Sequence, residues 1–396
     1  MKIVDMRART VLVPIEAPLR HSTGVHPGRF IRTIVELITD EGIVGLGEVG
    51  GGDQRGALMK LKPRIVGESP FDLERIKQKT LRQIYYLSNS RLYAALEVAC
   101  LDIQGKAVGR PVCDLLGGRI RETVPFSAYL FYRYPEGDLG GETTPEEMVR
   151  WTRELVAQYG FRSAKLKCGV LPPRNDIDVI LALRDAFGPD FGLRLDPNGF
   201  WSRGTAIHVA NALERCRLEY LEDPTWGLEG MARVKERTTL PLATNMCVAN
   251  FEHIAPAAAM NSVDIILSDI YYWEGPRGVK SLSQICDCFR WGVSMHSGSE
   301  LGITMAAMIH TCASLPNLSY DADAHYHHLL DDVIEGGVMK PVNGCYTVPT
   351  GPGLGVKLDE DRMAKYVALF EKEGDYYARF HEDVRQPDWF PVNPGW

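Results

Sequence analysis

"SAKLKCGV", residues 163–170, sets two lysines, Lys165 and Lys167, one residue apart in a short apolar run. Ala164, Leu166 and Cys168 around them read as an interior strand. Side chains at i and i+2 of a strand leave on the same face. The two ammonium groups would therefore crowd each other, each raising the cost of charging its neighbour. The pattern of an apolar run, a polar end and a helical stretch recurs downstream as "GLRLDPN", "LEYLEDP", "PLATN", "DIILSD", "GVSMHS" and "LSYDAD". The terminal polar residues Lys167, Asp196, Glu222, Asn245, Asp269 and His296 follow one another at steps of 23 to 29 residues, one strand-plus-helix unit each. Such repeats make either an open doubly wound sheet or a closed barrel. Seven or eight units in roughly 230 residues fit the barrel, which takes about 250.

Outward from this region the rhythm differs. "RTIVELITDEGIVGLGE" is two period-two runs around Asp40-Glu41-Gly42, a hairpin signal. From about residue 54 to 118 the pattern is helical, with Leu92, Leu96, Ala99 and Ile103 on one stripe and Gly117-Gly118 as the stop. The tail beyond Pro349 is rich in Pro, Gly and aromatics and then helical ("DRMAKYVALFEKEG"), a return to the first unit. The expected organisation is an α+β unit over residues 1–122, a barrel over 123–350 and a segment over 351–396 that rejoins the first unit.

A chain of 396 residues calls for two structural units. Its net charge of −7 gives no basic footprint for nucleic acid and no polybasic attraction to an acidic membrane. The first residues lack the apolar core of a signal peptide, and no run approaches the ~20 apolar residues of a spanning helix. The nine cysteines are an odd, scattered set, and Cys286 and Cys288 are spaced wrongly for a zinc site. A reduced, cytoplasmic enzyme is the expectation.

At the C-terminal ends of barrel strands, side chains converge on one mouth. Asp196, Glu222 and Asn245 come from three consecutive units and offer only oxygen, a donor set suited to Mg²⁺. Singly, Asp196 in "DPNG" also reads as a helix cap and "EDP" as a plain strand exit. Lys167, beside Lys165 and a divalent cation, is expected to have a lowered pKa, as a general base near neutrality needs. A Schiff-base lysine is the rival reading, but that chemistry has no use for the acidic trio. Asp269, one unit before His296, can orient the imidazole as an acid/base group. Gly45-x-Gly47-x-x-Gly50 matches a dinucleotide fingerprint, yet it ends a hairpin strand rather than opening a βαβ unit. In "HYHH", residues 325–328, consecutive histidines rarely reach one metal, and a single contribution from His325 at the mouth is expected.

Lys-x-Lys, then Asp, Glu and Asn on successive strands, then an Asp–His pair resembles the enolase superfamily, in its mandelate racemase-like branch. Asn as the third ligand, with "LDPNGFW", "LEDP", "LPLATNM", "DIILSD", "MHS" and "PGLGV", resembles the glucarate dehydratase group over nearly the whole chain. The resemblance implies an α/β fold, a (β/α)₇β barrel under an α+β cap built from both chain ends. It implies Mg²⁺ on Asp196, Glu222 and Asn245, with Lys167 abstracting the proton α to a carboxylate and Lys165 contacting that carboxylate. It implies His296, paired with Asp269, as second acid/base. It further implies substrate contacts from Asn245, His296, Ser297 in "MHS", His26 in "GVHPGRF", Tyr129 in "AYLFYRY", His325 in "ADAHY", and Arg379. A substrate threonine of that group is replaced here by Tyr93 or Ala94, which bears on which acid sugar is bound. The implied reaction is Mg²⁺-dependent dehydration of an acid sugar, glucarate or a related diacid, by a homo-oligomer. Racemisation, epimerisation or cycloisomerisation on the same scaffold is the alternative, as is a silent relative that only binds.

Overall fold

The computed structural model describes residues 1–81, 83–84, 87–375, 382–383 and 385–396. Seven strands, Ala128–Arg133, Ser163–Lys167, Gly192–Asp196, Tyr220–Glu222, Leu242–Thr244, Ile265–Ser268 and Gly292–Met295, pair in parallel and in chain order. Helices follow them, from Pro145–Tyr159 through Gly302–Ser314. Residues 318–323, the "LSYDAD" run, close the circle without a regular ladder. Parallel bridges join Leu318 to Val293 and Ala322 to Phe126. Asp323 N donates to Met295 O at 2.9 Å, and Ser127 N to Ala322 O at 2.9 Å. The result is a (β/α)₇β barrel.

The N-terminal unit is a three-stranded antiparallel sheet, with Arg29–Thr39 between Ile3–Pro14 and Val44–Val49. The expected hairpin turn lies between the second and third strands, and Gly42 supplies its positive φ of 79°. Across this sheet lies the helix Ser90–Val108. Its four-residue stripe understates its burial: residues from Leu92 to Gly105 are buried on every side, between the sheet and the barrel's outer helices. Such a helix must satisfy its own acids. Asp102 does so by accepting from Leu46 N (2.9 Å), Leu354 N (2.8 Å) and Lys106 Nζ (2.6 Å), tying strand, helix and C-terminal segment together. The helix Glu360–Glu373 packs on Ile3–Pro14, with Phe370 against Leu12 and Ile31. Both ends of the chain thus build one α+β cap.

The glycine fingerprint has a packing explanation. A Cβ on Gly45 or Gly47 would stand 2.1 Å from the Ala99 or Ala95 carbonyl oxygen. These glycines let the helix press onto the strand. Among the described residues no helix is long and apolar enough to cross a membrane.

Candidate active site

Inward-facing residues of neighbouring parallel strands stack in levels. Tyr129, Lys165 and Arg194 share one level by register; Phe131, Lys167 and Asp196 share the next, nearer the mouth. On the lower level Lys165 is completely buried and donates to Glu222 Oε2 at 2.6 Å and Asp323 Oδ2 at 2.5 Å. Tyr129 lies beneath the lysines, its ring 4.8 Å from Lys165 Nζ and 5.7 Å from Lys167 Nζ. On the upper level Lys167 bonds Asp196 and reaches Asn198 Oδ1 at 3.1 Å.

These pairings set the protein's own balance at the two lysines. Burial alone would depress both lysines. Asp323 and Glu222 around Lys165, and Asp196 and Glu222 around Lys167, outweigh it and raise both above the usual ammonium range. The two like charges coexist because buried acids face them. The acids carry the strain instead. Burial, with the charge of Asp196, pushes the Glu222 carboxyl well above its ordinary value.

Asn245 follows the strand Leu242–Thr244. With its amide nitrogen turned to the acids it donates to Glu222 Oε1 at 3.2 Å and Asp223 Oδ2 at 3.0 Å, and its oxygen accepts from His296 Nε2 at 3.0 Å. His296 Nδ1 is 2.8 Å from Asp269 Oδ2. Asp269 in turn accepts at Oδ1 from Tyr271 N (2.6 Å) and Tyr272 N (3.1 Å). Burial works against the Asp269 charge, but His296 and these amides hold its carboxyl below the usual range. Both nitrogens of His296 thus face side-chain oxygens.

A cavity of about 380 Å³ opens over these groups, between barrel mouth and cap. His26, Lys167, Asn245, Asp269, His296, Ser297 and His325 line it. Level with Lys167, Phe131 rather than Tyr129 reaches the cavity wall. The other two histidines of "HYHH" face away: His327 Nε2 accepts from Tyr129 N at 3.0 Å, and His328 Nε2 is 2.9 Å from Tyr129 O. They brace a strand. Tyr93 is also withdrawn, donating to Glu97 Oε2 at 2.6 Å, and Ala94 is buried. Arg379 lies outside the described residues.

The wall also holds Arg29, Arg32 and Arg91, which no strand-end pattern could reveal because they come from the cap. Arg32 is spent on Glu48 (2.6 Å), Tyr271 and Gly298 O (2.8 Å). Arg29 donates to Gly28 O, and Arg91 to Tyr272 OH at 2.6 Å. Among the described residues neither Arg29 nor Arg91 pairs with a carboxylate.

A divalent cation fits the donor chemistry. Asp196, Glu222, Asp223 and Asp323 are all completely buried at the barrel floor, against three buried cations, Lys165, Lys167 and Arg194. Burial and the neighbouring Asp196 charge, which together raise Glu222, mark a place where further positive charge is favoured. Asp196 and Glu222 offer carboxylate oxygens and Asn245 an amide. Among the described residues no three His, Cys, Asp or Glu side chains form a metal-ready cluster.

Residues 3–117 match the family model for the mandelate racemase / muconate lactonizing enzyme N-terminal domain, and residues 147–362 the enolase C-terminal domain-like model. The chain is 38% identical to a probable glucarate dehydratase of Streptomyces coelicolor, across 98% of this chain and 97% of that protein. A Mycobacterium smegmatis enolase crystallised with tartrate is 40% identical, with a TM-score of 0.93, covering 100% of this chain and 98% of that one. A Pseudomonas fluorescens enolase with bound magnesium, potassium and tartrate is 36% identical, with a TM-score of 0.92, covering 100% and 99%.

Proposed function

Because the chain belongs to the enolase superfamily, in its mandelate racemase-like branch, we propose that it is a Mg²⁺-dependent acid-sugar dehydratase acting on a diacid such as glucarate. The observation that carries this reading is the convergence of Lys167 and the His296–Asp269 pair on one cavity above buried Asp196 and Glu222.

A proton α to a carboxylate is very weakly acidic, so the chemistry is governed by how the developing enediolate charge is met. Mg²⁺, held by Asp196, Glu222 and Asn245, supplies electrostatic stabilisation of that charge when bound. Lys165, one level below, adds fixed positive charge. Lys167, steered by Asn198, would take the α-proton as its neutral amine, the form favoured when a divalent cation on Asp196 and Glu222 draws off the carboxylate charge that raises its pKa. His296, its Nδ1 fixed by Asp269, gives its Nε2 proton to the departing β-hydroxyl, so that water leaves and a 2-keto-3-deoxy acid follows. Arg29 and Arg91, facing the cavity without carboxylate partners, support the diacid. Burying a second carboxylate unpaired would be costly, and a guanidinium meets it with two donors. The tartrate held by two relatives is itself a hydroxy diacid.

The test is a screen of mono- and diacid sugars for 2-keto product, with chelated and Mg²⁺-reloaded protein. Turnover of a six-carbon diacid, lost on chelation and restored by Mg²⁺, is expected. Turnover of monoacids alone would remove the diacid assignment, turnover indifferent to chelation would remove the metal, and epimerised substrate without 2-keto product would replace dehydration by epimerisation.

A further inference from the structure

Glu300 sits in the loop between the strand ending at Met295 and the helix Gly302–Ser314, and it is completely buried. Ser297 Oγ lies 2.9 Å from its Oε1 and 2.8 Å from its Oε2, while Gly298 N donates to Oε2 at 3.1 Å. The same hydroxyl is 2.6 Å from His325 Nδ1 and accepts from His325 N at 2.8 Å. At the far side of the ring Nε2 is buried and has no hydrogen-bond partner among the described residues, in a side chain that lines the cavity. The ring cannot turn over, because Tyr129 (4.7 Å), His26 (5.1 Å), Phe131 (5.3 Å) and Phe30 (5.8 Å) box it in.

A serine hydroxyl has one proton to give and two lone pairs. The His325 amide occupies one lone pair. One donation and one acceptance are left, to be divided between Glu300 and Nδ1, and with a neutral imidazole only two arrangements satisfy all three groups. With Glu300 a carboxylate, Ser297 donates to it and Nδ1–H donates to Ser297, leaving a bare lone pair on Nε2. With Glu300 a carboxylic acid, its O–H donates to Ser297, Ser297 donates to Nδ1, and Nε2 carries the hydrogen.

We infer that His325, Ser297 and Glu300 form a proton relay whose cavity terminus is His325 Nε2 and whose charge-bearing terminus is Glu300. A proton arriving at Nε2 from a substrate hydroxyl or water releases the Nδ1 proton to Ser297 Oγ, and the Ser297 proton passes to Glu300. At Nε2 the donor's O–H bond breaks as an N–H forms, at Nδ1 an N–H breaks as an O–H forms on Ser297, and at Glu300 a new O–H replaces the old one of Ser297, so the imidazole is neutral before and after. The relay is a third acid/base group beyond Lys167 and His296. Its existence is independent of the proposed dehydration; only its use there rests on that reading.

The surroundings suit the relay. Burial pushes Glu300 up to about 7, with Arg32 opposing and Glu48 assisting from the cap sheet. An imidazolium at His325 is strongly disfavoured, by burial first and then by His26, His328, Lys167 and His296 around it, so the ring stays neutral while Glu300 takes the charge change.

The test is nitrogen NMR of ¹⁵N-histidine-labelled full-length protein, His325 being assigned by loss of its signals in His325→Gln. Across neutrality, wild-type Nε2 should change from pyridine-like above to N–H-bearing below, with Nδ1 changing in the opposite sense. In Glu300→Gln the Gly298 amide claims the glutamine oxygen, so the amide NH₂ faces Ser297 and Nε2 should carry its hydrogen at every pH. Turnover of whatever substrate the screen identifies should lose its near-neutral inflection in the same variant. A wild-type tautomer that does not change with pH, or a Glu300→Gln tautomer that titrates like wild type, would overturn the relay. The wild-type titration needs neither substrate nor a folded variant.

Discussion

Lys165 and Lys167 share one face of one strand but no hydrogen-bonded carboxylate. Lys165 is locked between Glu222 and Asp323, while Lys167 answers to Asp196 and Asn198 at the cavity wall. The division separates a fixed charge from a group that can act on a ligand, and it makes the two lysines unequal in stability.

Lys165→Met should take the ammonium from two buried carboxylates, leaving Asp323 with Arg194 at 3.4 Å but Glu222 without its ion pair, and cost about 3–5 kcal/mol, read as a lower denaturant midpoint. Lys167→Ala should cost less, because Asp196 keeps the Asn198 amide at 2.7 Å and Lys167 itself reaches the cavity. Equal midpoints for the two variants would contradict the arrangement.

The same cavity predicts two exchange activities. Lys167→Ala should stop α-proton exchange in the epimer whose proton faces Lys167, and His296→Asn should stop exchange in the other. Deuterium incorporation followed by proton NMR measures both. Loss of both exchanges in each variant would mean a shared structural role.

How much of this was legible follows from where each signal is carried. The barrel showed in the sequence because every strand ends on a polar residue and the repeat is local. Lys167, Asp196, Glu222, Asn245, Asp269 and His296 could therefore be lined up without a structure. Strand register could not. It takes the pairing of Lys167 with Phe131 to place Phe131 at the wall and Tyr129 below it. The expectation for Lys167 weighed like charge, burial and a divalent cation, and had no view of the acids that the fold brings to the lysines, Asp196 and Glu222 beside them and Asp323 at Lys165. Arg29, Arg32, Arg91 and Glu300 follow no period at all. The three arginines reach the cavity because a cap and a barrel distant in sequence close over each other, and Glu300 lies buried behind Ser297.

Arg91 discriminates between substrates if the diacid reading holds. Arg91→Met should raise KM for a diacid by about 10- to 100-fold, the worth of a charge-assisted hydrogen bond. KM for a monoacid of the same length should hardly move. A parallel rise for both would mean that Arg91 supports Tyr272 rather than a second carboxylate.

Gly50 makes room for Arg32. A Cβ there would stand 2.0 Å from Arg32 Nη1, and that guanidinium cannot retreat while it bonds Glu48 and Gly298 O in a buried site. Gly50→Ala should destabilise the protein by several kcal/mol by parting this ion pair. Arg32→Met should be no worse when added to Gly50→Ala, a non-additivity that a double-mutant cycle reads directly.

His310 gives the clearest pH signature outside the active site. It lies in the buried helix Gly302–Ser314 with Nε2 3.1 Å from Leu354 O, and burial pulls its pKa down from 6.5 to about 4. The unfolded chain binds a proton below 6.5 that the folded chain refuses until about 4, so this histidine favours the folded state less and less as pH falls through that window. At pH 5 the loss should be about 2 kcal/mol relative to neutral pH. Buried Asp176 and Asp332, with carboxyls raised by burial to about 7, act in the opposite sense, since the folded protein holds their protons more tightly. Comparison with His310→Gln removes them, because glutamine keeps a donor for Leu354 O and does not titrate. Chemical denaturation of both proteins at pH 7 and pH 5 should show the stability of wild type relative to His310→Gln falling by about that amount at the lower pH. An unchanged difference would mean that His310 is protonated in the folded protein or exposed to water.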